Sequence, residues 1–383
     1  MENIYFTGKY NSAIVYTDYI ESSAKGVIQA FLDSPISENS DIKFMPDIHP
    51  GKGCCVGTTM TINNVIVPGF VGIDIGCGVV AYEITKGKIE LEKLDKFITQ
   101  QIPSGFAIRN KPHGIAEEFR KDLETLQCIQ KGKKINIEKT LKYLGSLGSG
   151  NHFIELAKSE NTGNYWLLVH SGSRHLGVDV CSYYHDIAAK FHPEVPYEFA
   201  YFYNLNKDEE EYFDAYLYDM ELTQRFAAAN RVAIASDIIY HMRWNYGKVF
   251  HSVHNYIDTD DMILRKGAIS AKNNEYIVIP LNMRDGSLIC IGLGNPNWNF
   301  SAPHGSGRKM TRKDAKEFLT LTEYKKEMEG IYSSSISRDT IDESPMAYKD
   351  SQNIIDRLSD TCIIIDKLKP VYNFKASNKE RGR

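Results

Sequence analysis

The spacing of apolar and polar positions along the 383-residue chain predicts helices and strands that follow one another without regular alternation. Several charged segments place apolar residues three and four positions apart, the spacing that buries one face of a helix. One of them, residues 207–246, contains neither proline nor glycine and predicts one long helix or a helical pair. The predicted helices cover residues 18–33, 91–101, 115–131 and 207–246, with further helical segments after Met310.

Short runs rich in β-branched and aromatic residues predict strands. These runs cover residues 56–62, 79–85, 153–156 and 165–170 and a longer block at 249–293. Residues 65–82 form the most apolar stretch, but proline, glycines and an aspartate interrupt it, so it predicts buried strands broken by tight turns rather than a membrane helix. This mixture predicts the α+β class, with one large domain over residues 1–375 and a polar, basic tail over residues 376–383.

The composition excludes some classes of protein. The formal net charge is −4 at pH 7, so the chain lacks the positive charge of a histone-like or tail-driven nucleic-acid binder. Its seven cysteines are odd in number and form no CxxC pair, which argues against a disulfide scaffold or a four-thiolate zinc site. The N-terminus has no basic region followed by an apolar run. We therefore expect a cytoplasmic protein without a membrane partner.

Six short stretches stand out, and most of them combine glycines with residues that bind metals or transfer protons. Glycines let the backbone turn tightly and bring free amides to an anion, and neighbouring Asp, Cys and His side chains are candidate metal ligands. Any one stretch is common in ordinary loops, so their joint occurrence is what indicates a site. The stretches are 45–51 (MPDIHPG), 72–78 (GIDIGCG), 148–155 (GSGNHFIE), 170–174 (HSGSR), 254–255 (HN) and 304–308 (HGSGR).

In this order, the motifs MPDIHPGKG, GIDIGCG, GSGNHFIE, HSGSR, HNY and SAPHGSGR resemble those of the RtcB family, over about residues 45–375. The resemblance implies an RNA ligase that depends on GTP and manganese. Such a ligase joins RNA 3'-phosphate or 2',3'-cyclic phosphate ends to 5'-hydroxyl ends, in RNA repair or tRNA splicing. The resemblance also implies mixed sheets and helices around a central cleft for the metals and GTP. The expected partners are RNA and GTP, and the need for an activating protein is left open.

The resemblance assigns roles to the metal-binding residues. It implies two manganese ions bridged by the Cys77 thiolate, with Asp74 and His152 on one ion and His170 and His254 on the other. A set of cysteine and histidine ligands generally favours zinc over manganese. The residues alone therefore leave the identity of the metal open, and manganese comes from the resemblance.

The resemblance also assigns the reacting groups. His304 is the implied nucleophile, which attacks the α-phosphorus of GTP and releases pyrophosphate. Asp47 is expected to act as a general base or to support a metal ligand. Three arginines, each able to hold a phosphate through two N–H groups, are the expected RNA contacts, namely Arg174, Arg308 and Arg312.

The expected GTP pocket draws on several stretches, on the turn at residues 280–283 and on the end of the chain. Glu155 and Lys375 are expected to select guanine over adenine, because a carboxylate accepts from the N–H donors of guanine and an ammonium donates to its acceptors. Glu155 follows His152 by three residues, so it reaches the base only if the backbone turns before the strand. Asn282 stands where many relatives carry serine, and eight residues follow Lys375. The expected pocket residues are Asn151, His152, Phe153, Ile154, Glu155, His254, Asn255, Pro280, Leu281, Asn282, Met283, Ser287, His304, Gly305, Ser306, Gly307 and Lys375.

Two other functions stay open from the sequence. A metal-dependent phosphoesterase could use the same Asp74, Cys77 and histidine cluster without a nucleotide step, but it has no use for the His304 loop. A nonenzymatic RNA-binding or scaffold protein is disfavoured by the mild acidity and by the lack of repeated stacking aromatics. The physiological RNA and the oligomeric state are not fixed by these patterns.

Overall fold

The computed structural model describes residues 2–376, in which helices and strands are mixed without regular alternation, so the predicted α+β class is confirmed. Ala376 is buried, and residues 377–383 of the predicted tail lie outside the described residues. The helices are α1 Ser22–Leu32, α2 Pro68–Val71, α3 Leu91–Gln101, α4 Phe119–Glu124, α5 Gln127–Gln130, α6 Ile137–Tyr143, α7 His175–Phe191, α8 Lys207–Met242, α9 Arg312–Phe318, α10 Leu321–Glu327 and α11 Ser351–Ile355.

The strands form two main sheets. They are β1 Ile4–Thr7, β2 Ser12–Val15, β3 Ile42–His49, β4 Val56–Thr61, β5 Val65–Ile66, β6 Gly78–Lys86, β7 Phe153–Ser159, β8 Tyr165–Ser171, β9 Phe202–Tyr203, β10 Asn245–Val253, β11 Asn255–Asp258, β12 Ile263–Lys266, β13 Ala268–Ser270, β14 Tyr276–Asn282, β15 Gly286–Gly292, β16 Ser301–Pro303 and β17 Cys362–Lys375. The first sheet has the order β1-β2-β3-β4-β12-β11, in which β2 and β3 are parallel and the other neighbours antiparallel. The second sheet has the order β10-β6-β8-β7-β17-β15-β14, with every neighbouring pair antiparallel. Two smaller pairings join β13 to β16 and β5 to β9.

The second sheet gathers the ends of five neighbouring strands at one edge. Because neighbours run antiparallel, the ends of β10, β8 and β17 lie beside the starts of β6 and β7. The register shows the same arrangement, since Val253 pairs with Gly78, and Phe153 pairs with both His170 and Lys375. Four of the six stretches named in the sequence, 72–78, 148–155, 170–174 and 254–255, therefore meet at this edge.

The longest strand of the second sheet, β17, falls where the sequence predicts helices, and that prediction is wrong for this segment. Helices α9 to α11 do follow Met310, but the chain then forms a central strand between β15 and β7. Its apolar residues do not alternate with polar ones, and Pro370 coincides with a shift in register against β7. Proline and a broken alternation remove the two patterns by which a strand is recognised in a sequence.

The predicted long helix is a single helix, α8, which ends at Met242, and the residues that follow it form β10. Asn206 caps its first turn by accepting a hydrogen bond from the amide two residues on, and Arg243 ends it in the left-handed conformation. Phe226 packs in one hydrophobic core, whereas Ile238 packs in a second core against the seven-stranded sheet. Helix α8 thus connects the two cores and is buried on most sides.

Three smaller differences separate the predicted elements from the observed ones. Residues 65–82 contain one helical turn, α2, as well as strands, and Pro68 occupies its first turn, where the missing amide costs nothing. Residues 115–131 are divided between a 3-10 turn, α4 and α5. Helix α7 was not expected from the pattern. None of the helices in residues 2–376 is both long and apolar enough to cross a membrane.

Candidate active site

The candidate metal ligands lie on turns at the crowded edge of the second sheet. Asp74 and Cys77 belong to the turn between α2 and β6, and His152 directly precedes β7. His170 lies near the end of β8, and His254 links β10 to β11. The antiparallel order of these strands brings together side chains that are far apart in the sequence.

Cys77 lies between two pairs of side chains. Its Sγ is 3.4 Å from His152 Nε2 and 3.3 Å from His170 Nε2. Asp74 Oδ2 lies 3.0 Å from His152 Nε2, and His254 Nε2 lies 3.3 Å from His170 Nε2. The ligand atoms of Cys77, His152 and His170 are all within 4.8 Å of one another, so this group could hold a metal ion.

The surroundings of these side chains fit a divalent cation. His152 Nδ1 donates to the Leu147 carbonyl at 2.9 Å, so Nε2 presents a lone pair to the cluster. Burial lowers the pKa of His170 and of His254 well below the ordinary value, which keeps both imidazoles neutral. Burial and a neighbouring carboxylate raise the pKa of the Cys77 thiol well above its ordinary value. A bound cation would offset that effect by holding the thiolate, so the donor set fits a metal.

Two adjacent polar residues in the middle of α8, Asn230 and Arg231, hold the ligand-bearing turns, and both are fully buried. Asn230 Oδ1 accepts from the Gly145 amide at 2.7 Å, in the segment that leads to the third glycine-rich stretch. Arg231 Nη1 donates to the carbonyls of Gly76 and Ser171, at 2.7 and 2.8 Å. Neither residue was predicted from the sequence to have this role. A polar pair inside an apolar helical segment could have indicated them, because buried polar groups require hydrogen-bond partners.

The expected nucleophile, His304, follows β16, and its ring centroid lies 4.8 Å from that of His254. Its Nδ1 lies 2.6 Å from Oδ2 of Asp47, a fully buried carboxylate on β3. Because a carboxylate oxygen accepts, Nδ1 carries the proton and Nε2 keeps a free lone pair. Gly307 has a φ of +70°, and a Cβ there would lie 2.2 Å from the Asp47 carbonyl oxygen. The loop can therefore approach β3 this closely only with glycine.

A cavity of about 340 Å³ opens beside His304 and reaches the cluster at His170. Many of the residues that the resemblance places at GTP or at RNA phosphates line it. These are Asn151, Phe153, Glu155, Pro280, Leu281, Asn282, Met283, His304, Gly305, Ser306, Gly307, Arg308, Arg312 and Lys375. The expected metal ligand His170 also lines the cavity. The wall also contains residues that the sequence did not predict, namely His49, Pro50, Gly286, Tyr348 and Asn373.

Five residues expected in the GTP pocket do not line the cavity. They are His152, Ile154, His254, Asn255 and Ser287. Ile154 lies on the opposite face of β7 and packs in the hydrophobic core, as the alternation along a strand requires, so the structure does not bring its side chain to the cavity. Ser287 donates to Glu155 at 3.3 Å, and Asn255 donates to the Asp74 carbonyl at 3.3 Å. Neither side chain lines the cavity itself. Each donates a hydrogen bond to a residue of the site, Ser287 to Glu155 and Asn255 to Asp74.

Glu155 and Lys375 lie in the cavity wall and are nearly fully buried, with 2% and 5% of their surface exposed. Glu155 accepts from Asn373 Nδ2 at 2.8 Å, and burial raises its pKa to about 7. Phe153 lies on the same face of β7 as Glu155, whereas His152 precedes the strand. The turn in the backbone that the sequence required is therefore present.

A buried carboxylate that the sequence did not predict, Glu343, binds the cations of the cavity wall. It accepts from Lys375 Nζ at 3.0 Å, from Arg308 at 3.3 Å and also from Arg312. Tyr348 donates its hydroxyl to the same carboxylate at 2.6 Å. Burial alone would raise the pKa of Glu343, but the surrounding cations lower it to about 2. Arg308 and Arg312, expected at RNA phosphates, are thus paired within the protein.

Comparison with known proteins identifies the family. The family model described as tRNA-splicing ligase RtcB matches residues 36–376. This chain belongs to the RtcB family. The RNA-splicing ligase RtcB of Escherichia coli K12 is 31% identical over 371 residues, which cover 87% of this chain and 90% of that protein. The tRNA-splicing ligase RtcB of Methanococcus maripaludis is 27% identical, over 85% of this chain and 86% of that protein.

In this RtcB protein, Arg174 directly precedes α7 with φ of 59° and ψ of −144°, a conformation that residues other than glycine rarely adopt. Holding it there costs on the order of 1–3 kcal/mol. Its Nε donates to Ser146 and its Nη2 to the Gly105 carbonyl. A Cβ at Gly148 would lie 1.9 Å from Arg174 Nη1 and 2.6 Å from His152 Nδ1, so the guanidinium lies close to the cluster. Unlike the other two arginines expected at RNA, Arg174 is not part of the cavity wall.

Proposed function

We propose that this RtcB protein is a GTP- and manganese-dependent RNA ligase that joins RNA 3'-phosphate or 2',3'-cyclic phosphate ends to 5'-hydroxyl ends, in RNA repair or tRNA splicing. Membership of the family supports RNA ligation. The observation that carries the nucleotide step is the contact between His304 and Asp47, which leaves a nucleophilic nitrogen beside both the cavity and the cluster. A phosphoesterase that attacks its substrate with metal-activated water does not require such a nucleophile.

In the proposed reaction, His304 Nε2 attacks the α-phosphorus of GTP. A P–N bond forms, and the bond from that phosphorus to the pyrophosphate oxygen breaks. Asp47 keeps the ring oriented and stabilises the positive charge that the imidazole gains. An oxygen of the RNA 3'-phosphate then attacks the same phosphorus and displaces His304, which leaves an anhydride between RNA and GMP. The 5'-hydroxyl of the second RNA finally attacks the RNA 3'-phosphorus and expels GMP. A cyclic phosphate is first opened by hydrolysis to the 3'-phosphate.

The ligands proposed for two manganese ions form two sets that share Cys77. Asp74 and His152 would hold one ion, and His170 and His254 the other. The short distances from the Cys77 sulfur to both sides support a shared thiolate. Bound metal supplies positive charge that offsets the charge developing on the phosphate oxygens.

Glu155 and Lys375 are proposed to select guanine. A carboxylate can accept from N1–H and N2–H of guanine, whereas adenine would place an acceptor opposite it and leave it unsatisfied. The burial of both side chains in the cavity wall supports a role in recognition. Arg308 and Arg312 lie in the same wall and, with Arg174, are proposed to contact phosphates.

The proposed ligase domain spans residues 1–375. All seven cysteines are free and buried, which supports action in a reducing compartment, and we propose the cytoplasm.

Incubation with GTP labelled at the α-phosphate plus manganese, followed by denaturing electrophoresis, tests the nucleotide step. The wild-type protein is expected to retain an acid-labile label, and His304→Ala to retain none while keeping its metals. His241→Ala is the matched control, because His241 is an exposed histidine near the end of α8. Absence of label on the wild-type protein, or a wild-type amount on His304→Ala, would refute the proposed nucleophile.

RNAs with defined ends test the joining step. The protein is expected to seal a 3'-phosphate to a 5'-hydroxyl and to leave a 3'-hydroxyl and a 5'-phosphate unjoined. The reason is that the GMP group must be accepted by a terminal phosphate on the 3' side. Efficient sealing of the second pair in a gel assay would contradict the proposed function.

A further inference from the structure

We propose that the RNA strand carrying the 5'-hydroxyl approaches the metal cluster from the side of Asp74, and that the exposed ring of Phe106 stacks on the first base of this strand. The inference rests on the proposed ligase function and adds to it a binding surface for the second RNA end. Three features carry it: an opening at Asp74, an aromatic side chain on a fixed turn, and the guanidinium of Arg174, which links the two.

The metal cluster is buried except at one carboxylate. Cys77 and His152 expose 2% and 4% of their surface, whereas 34% of the Asp74 side chain is exposed. Ile73, the residue before it, is 57% exposed. The nucleotide cavity reaches the cluster at His170, whereas Asp74 lies against His152. Two RNA ends must meet at one phosphorus, and the opening at Asp74 gives the second end a path that a bound nucleotide does not block.

Phe106 stands on a turn that is fixed to two loops of the site. Gly105, the residue before it, donates its amide to the Gly148 carbonyl at 2.7 Å and accepts from Arg174 Nη2 at 2.8 Å. The Phe106 side chain is nevertheless 71% exposed. A ring held in this way offers a stacking surface for RNA of any sequence, because every nucleobase presents a flat face.

Arg174 links this turn to the opening. Its guanidinium lies at Gly148 beside His152, and its Nη1 forms no hydrogen bond within residues 2–376. A guanidinium N–H group is a strong donor to phosphate oxygens. A strand whose first base lies on Phe106 would bring its first phosphodiester linkage to Arg174 and its 5'-hydroxyl toward Asp74.

The position of Phe106, more than its exposure, supports an RNA partner. Single exposed apolar side chains are ordinary on protein surfaces. Tyr240, for example, is 88% exposed near the end of α8. Phe106 differs because its turn is hydrogen-bonded both to a loop bearing a proposed metal ligand and to an arginine beside the cluster. Tyr240→Ala is therefore the matched control for removal of an exposed aromatic ring.

The test measures single-turnover sealing by the manganese- and GTP-loaded protein as the concentration of the 5'-hydroxyl strand is varied. Phe106→Ala is expected to raise the half-saturating concentration of that strand by roughly 5- to 150-fold, the range of base–aromatic stacking. Phe106→Trp should restore it, and Phe106→Leu should not. Uptake of label from GTP and transfer of GMP to the 3'-phosphate strand should stay at the wild-type level in all three variants.

A strand with an abasic first nucleotide isolates the stacking contact. It should bind the wild-type protein as weakly as Phe106→Ala binds the intact strand, and the Phe106→Ala substitution should then have no further effect. An unchanged half-saturating concentration in Phe106→Ala, an equal loss for the abasic and intact strands, or full function in Phe106→Leu would overturn the inference. The inference would also be overturned if Phe106→Ala weakened the binding of an added protein partner and left the binding of RNA unchanged. Failure of the wild-type protein to take up label from GTP would overturn the proposed function itself, which separates the two outcomes.

Discussion

The candidate metal cluster and the proposed nucleotide cavity meet between His170 and His304, but they are held together differently. In the cluster, a thiol and histidines converge from turns at one edge of the second sheet, and Arg231 of α8 fixes the backbone of two of those turns. In the cavity, groups of opposite charge hold one another. Glu343 binds three cations, and Asp47 binds the histidine proposed as nucleophile.

This difference determines what each half must do when its ligand arrives. The ligand atoms of the cluster already converge, so binding a cation requires little rearrangement and offsets the cost of burying lone pairs. The cations of the cavity are already paired, so the proposed phosphate or guanine ligand would have to exchange partners with Glu343 instead of filling an unpaired positive site. Hydrogen bonds to the backbone of its turns hold the cluster in place before a ligand binds. Ion pairs do the same for the cavity.

Removing Cys77 should have the largest effect, because the proposed thiolate contributes to both metal sites. Cys77→Ala is expected to remove both ions, whereas His170→Ala should mainly affect one. Metal content after dialysis, measured by elemental analysis, distinguishes the two. Cys54→Ser is the control, since Cys54 is fully buried in a hydrophobic core and is not one of the grouped ligands. It should lower the stability by about 1–3 kcal/mol without changing the metal content. Equal losses from the Cys77 and His170 variants would count against a bridge.

Asp47→Asn tests whether charge organises the cavity. An asparagine amide can donate to His304 Nδ1, which would move the ring proton to Nε2 and remove the nucleophilic lone pair. We expect the rate of label uptake from GTP to fall roughly 10³- to 10⁴-fold, with the metal content unchanged. Asp47→Ala should be less impaired than Asp47→Asn if the tautomer is the cause. A loss smaller than tenfold in Asp47→Asn would show that the contact has no such role.

Arg231→Met tests whether α8 organises the cluster. It leaves the carbonyls of Gly76 and Ser171 without their donor, so the turns bearing Cys77 and His170 should loosen. We expect metal affinity to fall about 10- to 100-fold, as for other groups that support metal ligands. Titration calorimetry measures the change, and Arg231→Lys should recover part of it. A variant that is destabilised but binds metal with wild-type affinity would restrict Arg231 to a role in folding.

The smallest expected effect is a dependence of nucleotide preference on pH through Glu155. Its pKa near 7 leaves the group mostly protonated at pH 6 and mostly ionised at pH 8, and only the ionised form accepts from both guanine donors. The preference for GTP over ATP should therefore rise roughly tenfold from pH 6 to pH 8. Taking the ratio cancels the effect of pH on metal binding. In Glu155→Gln the preference should be small and constant, and a wild-type ratio that does not change with pH would exclude this role.

The sequence predicts the cluster better than the cavity, for a physical reason. Metal ligands are rare residue types next to glycines, so Asp74, Cys77 and the histidines are visible in the chain itself. Glu343 and Tyr348 are ordinary residues in a segment without such stretches, and their role comes only from contacts that folding creates. Ile154 shows the converse case, because successive side chains of a strand point to opposite faces, so a run of motif residues on β7 does not bring every side chain to the cavity.

The fold, like the site, was predictable from the sequence only in part. Uninterrupted helical spacing identified α8, since 36 residues without proline or glycine leave few alternatives. The strand β17 was not predicted from the sequence, because its conformation depends on its neighbours in the sheet, which are distant in sequence. The role of Asn230 and Arg231 was not predicted, because polar residues within a helix normally indicate a side that faces solvent. Here both residues are buried and face the turns of the site.

The hydrogen bonds that hold two turns of the cluster to α8 also have a consequence for the cluster while the chain is being synthesised. Arg231 binds the carbonyls of residues that lie 155 and 60 positions earlier in the chain. A nascent chain therefore carries the Cys77 thiol and the first histidines of the cluster before the helix that encloses them has been made. During that interval the thiol is open to oxidants and to whichever soft cation is most abundant. The identity of any metal that this cluster binds would thus depend on when, during synthesis and folding, the cluster closes, as well as on the ligands that compose it.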